Sequence, residues 1–88
     1  TNLGDTDMNT FSTRSENNGT FTVLHGSPED GTFIYDTPSE SEAEAVRDIL
    51  ERGFNGDPNA SADLTNTAGI VGAANIIHRL QLIGKGAK

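Results

Sequence analysis

The stretch Thr20–Glu40, TFTVLHGSPEDGTFIYDTPSE, decides how this chain is read. Thr20–His25 alternates, with Phe21 and Val23 on one side and Thr20, Thr22 and Leu24 on the other, as a half-buried strand does. Gly26-Ser27-Pro28-Glu29-Asp30-Gly31 is dense in turn formers. Thr32–Asp36 resumes the period of two, with Phe33 and Tyr35 on one face and Ile34 on the other. These segments predict an antiparallel hairpin.

A helix is predicted next. Thr37 is placed as N-cap, Pro38 at the first helical position and Glu40 as the partner in a capping box. Ala43, Val46, Ile49 and Leu50 form its apolar stripe, and Gly53 is placed to end it in a left-handed turn with Phe54 packing back. Asn55–Leu64 reads as a loop. A second helix is expected from about Thr65 to Ile83, apolar along Ile70, Ala73, Ala74, Ile77, Leu80 and Ile83. Lys85 and Lys88 follow at its negative dipole end.

Residues 1–19 are polar, with Leu3, Met8 and Phe11 as their large apolar groups, and read as a flexible arm. Met8–Ser12 is the stretch in it able to add an edge strand. The expected architecture is therefore α+β: a β-hairpin packed on two α-helices (ββαα), with an arm over 1–19 and one small domain over 20–88.

The net charge of −7 arises within Glu29–Glu51. Glu29, Asp30, Asp36, Glu40, Glu42, Glu44, Asp48 and Glu51 lie there against Arg47 alone, while acids and bases balance elsewhere. This balance disfavours direct binding to nucleic acid or to an anionic membrane, both of which need clustered Lys and Arg. It favours a basic protein partner, because carboxylates spaced along a helix can imitate a phosphate backbone. There is no cysteine, no run long enough for a membrane span and no signal-peptide pattern. Thr1 fits removal of an initiator methionine, and with it a cytoplasmic location.

Several possible sites fall away on ligand count. Asp57, Asn59, Ser61 and Asp63 have the spacing of the first oxygens of an EF-hand loop, but Ala60 and Ala68 stand where its turn glycine and bidentate glutamate belong. A polar connection capped by Asp63 or Thr65 is the simpler reading, with calcium binding ranked last. His25-Gly26-Ser27-Pro28 resembles a segment of calcineurin-like phosphoesterases, whose histidine contributes to metal binding. Such a centre needs several more ligands, and His78 is the one other histidine. Ser27 beside His25 lacks a third group, and His78 lacks a carboxylate on its helix. No enzyme activity, metal or cofactor is expected.

The segment Thr67-Ala68-Gly69-Ile70-Val71-Gly72-Ala73-Ala74 is rich in small residues for a helix interior, where each glycine costs about 1 kcal/mol relative to alanine. Close approach of another backbone explains them, either within the chain or in a homodimer through Gly69, Gly72, Ala73 and Ile76. The leading expectation is a non-enzymatic protein–protein interaction module: a small acidic inhibitor or regulator docking on a basic, nucleic-acid-binding protein. In size and charge it is similar to phage anti-defence proteins such as anti-CRISPR proteins, which would place it in the host cytoplasm. The alternative is a structural assembly protein, such as a minor virion or coat component.

Overall fold

Alternation and turn chemistry do produce antiparallel strands, and the apolar stripes do produce two helices. The computed structural model of the protein describes residues 10–86. It is an α+β fold in which β1 (Phe11–Ser15), β2 (Phe21–His25) and β3 (Thr32–Thr37) precede α1 (Glu40–Phe54) and α2 (Ala60–Gly86). The sheet is antiparallel in the order β1-β2-β3. Its core is shared by Phe11, Val23 and Ile34 of the sheet, Val46 and Ile49 of α1, and Leu64 and Ile76 of α2.

The predicted hairpin is β2–β3, and β1 extends it by a strand drawn from the segment read as an arm. Of the candidate edge strand Met8–Ser12, Met8 and Asn9 lie outside the described residues, and the observed strand runs on to Ser15. Its turn is closed by the Glu16 N–H donating to the Thr20 carbonyl at 2.8 Å. Asn18 Oδ1 accepts from the Thr20 N–H and hydroxyl, and Gly19 adopts φ +90°. Three-residue hairpin loops place glycine at such a position.

The alternation expected in β3 breaks. Val23 pairs with Tyr35 but its neighbour Leu24 pairs with Phe33, so Ile34 is an extra residue at a β-bulge. The bulge turns Ile34 into the core and leaves Phe33 40% exposed, on the opposite side from that expected.

The start of α1 lies two residues beyond the predicted cap. Ser39, not Thr37, is the N-cap, and its hydroxyl accepts from the Glu42 N–H at 3.2 Å. Thr37 remains in β3, where pairing with Phe21 holds it extended; its hydroxyl accepts from the Ser39 N–H. At the other end, Gly53 is helical and Gly56 takes the left-handed conformation, at φ +102°. Gly53 instead serves close packing, because a Cβ there would stand 3.1 Å from that of Ala60.

Helix α2 begins at Ala60, several residues before the predicted start, and is interrupted at Gly69. There φ is +82° and ψ 167°, a region essentially restricted to glycine. The break lets 60–68 bring Ala60 and Leu64 onto α1 while 70–86 lays Ala73 and Ile76 on the core.

Candidate functional site

The eight acidic residues of Glu29–Glu51 do not form one face. Two are structural. Glu42 accepts from the Tyr35 hydroxyl at 2.5 Å and from the Thr37 hydroxyl at 3.1 Å, joining α1 to β3. Glu51 accepts from the Phe11 N–H at 3.0 Å through Oε2 and from Arg47 at 3.3 Å through Oε1. Both are half-buried.

Three lie away from the helices. Arg14, Thr22 and Asp36 form one cross-strand row, on the sheet face opposite Phe11 and Val23. Arg14 donates to the Pro28 carbonyl at 2.9 Å, which curls the loop carrying Glu29 and Asp30 over that outer face. The loop therefore turns away from α1. Here Glu16 accepts from Thr22 and from Arg14, and these bonds hold its carboxyl below the ordinary range.

The remaining three, Glu40, Glu44 and Asp48, are exposed and spaced one turn apart on the outer side of α1. Asp48 meets Arg52 at 3.2 Å. Among the described residues Glu40 and Glu44 have no ion-pair partner. Glu40 gains from the helix N-terminus, whereas Glu44 lies a turn further in, where two like-charged neighbours oppose it by a few tenths of a kcal/mol each.

Arg52 links the two helices. Its guanidinium donates to Asp57 at 2.6 Å and to Asp63 at 3.4 Å as well as to Asp48. Asp57 also accepts from the Asn59 N–H, and that bond, followed by Arg52, keeps its carboxyl below the ordinary range. The EF-hand-like spacing is thus built differently: 60–63 is already helical, and Asp57 and Asp63 converge on a guanidinium. Among the described residues no group of three or more His, Cys, Asp or Glu side chains is placed to hold a metal.

His25 stacks edge-on against Phe11, with ring centroids 5.1 Å apart, at a cleft of about 450 Å³ shared with Ser12, Ser27 and Asp30. The Ser27 hydroxyl accepts from the Asp30 N–H, a bond that closes the turn. His78 is exposed on α2.

The small residues of α2 have separate tasks. Gly69 supplies the break, and a Cβ there would meet nothing within 4 Å, so close approach does not explain it. A Cβ on Gly72 would stand 3.2 Å from the Ala68 Cβ and 3.4 Å from Tyr35, so the tight contact is within the chain. Ala73 and Ile76 are buried in the protein's own core. The apolar surface that α2 does present follows the break: Ile70 is 78% and Val71 73% exposed, with Ile77 and Leu82 further along. Comparison of the chain with protein-family models, with curated proteins and with solved structures finds no match to any of them.

Sequence reasoning missed the Glu51–Phe11 bond and the Arg52 hub, which link residues that only the tertiary fold brings together. Of β1 it caught only the start, Phe11 and Ser12 within the candidate edge strand Met8–Ser12; the turn to β2 was missed, although Asn18-Gly19 is a recognised hairpin signal. Among the described residues no helix is long and apolar enough to cross a membrane.

Proposed function

We propose that the protein is a non-enzymatic interaction module that docks on a basic protein through the outer row of α1. The observation that supports this reading is the pair Glu40 and Glu44, one turn apart, exposed and without cationic partners among the described residues. Each step along the row rises about 6 Å, a spacing at which successive carboxylates present a line of negative charge to a groove lined by Lys and Arg. In its sharper form the module is a regulator that occupies a nucleic-acid-binding surface. Glu42 and Glu51 stand apart from this role because their oxygens already hold the fold together. The test is capture of basic proteins from the native host by the wild-type chain and by E40K/E44K. The reading requires a captured protein that the variant loses, that salt releases and that nucleic acid displaces.

A second reading is self-assembly, favoured by the exposure of Ile70 and Val71 within Leu64–His78, which contains no charged residue. In a chain of net charge −7, such a neutral stretch is where two copies meet with least repulsion. Sedimentation of wild type and I70D/V71D tests it: assembly through this surface requires a dimer that the variant dissociates.

A further inference from the structure

We propose that β1 accepts an extended, basic segment of the partner as a fourth strand of the sheet. This rests on the reading that the partner is basic, and adds how it is held.

The Gly26 N–H donates to the Thr10 carbonyl and the Glu16 N–H to the Thr20 carbonyl. With Ser12 opposite Leu24 and Arg14 opposite Thr22, alternate residues from Thr10 to Glu16 direct their backbone groups at β2. Phe11, Thr13 and Ser15 therefore direct theirs outward, as the Phe11 N–H does in reaching Glu51. Since β1 ends the strand order, Thr13 and Ser15 leave an open row of donors and acceptors among the described residues. A row of that kind is complementary to another extended chain.

The charge of that chain follows from α1. Glu44, Arg47 and Glu51 lie along one line of the helix, and Glu51 sits at Phe11. The helix begins shortly after Thr37, which pairs with Phe21, itself opposite Ser15, so α1 runs back along β1 from its Ser15 end to its Phe11 end. From Glu51 to Glu44 the helix rises about 10 Å. From Phe11 to Thr13 and Ser15 the strand advances about 7 to 14 Å. Glu44 thus comes alongside the open part of β1, with Glu40 a turn beyond. A strand added there meets carboxylates, and Lys or Arg at alternate positions neutralises them.

A second copy fits this edge less well. Two-fold pairing centred on Thr13 sets Phe11 opposite Ser15 of the other copy, but Glu51 already holds the Phe11 N–H. It would also bring the Glu44 and Glu51 rows of the two copies together.

The experiment follows amide exchange of the full chain by NMR at low salt, with three peptides as probes: Lys-Val-Lys-Val-Lys-Val, the same peptide N-methylated at alternate residues, and Glu-Val-Glu-Val-Glu-Val. The expected result is at least tenfold slower exchange at Thr13 and Ser15 with the first peptide alone, and at least fivefold weaker binding of it to E44K. Four results overturn the proposal: equal protection by the N-methylated peptide; no response to any probe; concentration-dependent protection of the protein alone, which would assign the edge to a second copy; and shifts at Glu40 and Glu44 with Thr13 and Ser15 unaffected. The last leaves acidic docking through α1 intact while removing strand addition.

Discussion

The Glu51 carboxylate accepts a hydrogen bond at 3.0 Å from the backbone N–H of Phe11, forty positions earlier in the chain. One side chain thereby ties β1 to α1 and covers the first outward N–H of an edge strand. A hydrogen bond to a charged group is worth about 1.5–3 kcal/mol. E51A is expected to lower stability by an amount at the lower end of that range in urea unfolding, because the site is only half-buried. E51Q retains an acceptor and should recover most of the loss.

The chain has a single tyrosine and no tryptophan, so its ultraviolet titration reports one group. Burial, reinforced by the hydrogen bond to Glu42, pushes the Tyr35 hydroxyl up to about 12. The neutral phenol is thus favoured in the folded state. Stability from this source is complete below the unfolded value near 10 and declines as pH rises toward 12. Absorbance titration of the folded protein should give a midpoint near 12, and E42Q should move it downward.

On the acid side the sign is reversed. Asp57 is held below the ordinary carboxylate range by the Asn59 N–H and Arg52, so its contribution is present above the unfolded value near 3.8 and is lost as pH falls through the lower folded one. D57N should flatten the fall in thermal midpoint below about pH 4. An unchanged slope would show that Asp57 is not responsible for it.

Gly69 and Gly72 should fail for different reasons. G69A places a side chain in a conformation essentially restricted to glycine, and should cost about 1–3 kcal/mol through local backbone strain, with no contact to the packed residues around it. G72L forces atoms against Tyr35 and Ala68, with an overpacking loss of about 1–3 kcal/mol. In G72L the near-ultraviolet signal of Tyr35 should change; in G69A it should stay close to wild type.

These residues also show what could be read in advance. The apolar stripe of α1 was legible because Ala43, Val46, Ile49 and Leu50 recur at helical spacing, and all four are buried. The β2–β3 pair was legible from alternation and its turn. That Phe33 leaves the face of Tyr35 was not legible, because a bulge is a property of two strands in register, and neither strand alone encodes it. β1 was legible only at its start, in the candidate edge strand Met8–Ser12, because Ser12, Thr13, Arg14 and Ser15 carry no large apolar group; the buried Phe11, backbone pairing and Glu51 hold it in place. The acidic stretch was legible as charge but not as surface. Net charge counts Glu42 and Glu51 equally with Glu40 and Glu44, whereas the fold engages the first pair internally and leaves the second facing solvent.

That division is the central claim, and affinity for the captured basic partner tests it most directly. Titration calorimetry with wild type, E40K/E44K and E29K/D30K should give at least a tenfold loss for the α1 variant, a small change for the loop variant, and steep weakening with salt. Equal affinities for wild type and E40K/E44K would contradict the account.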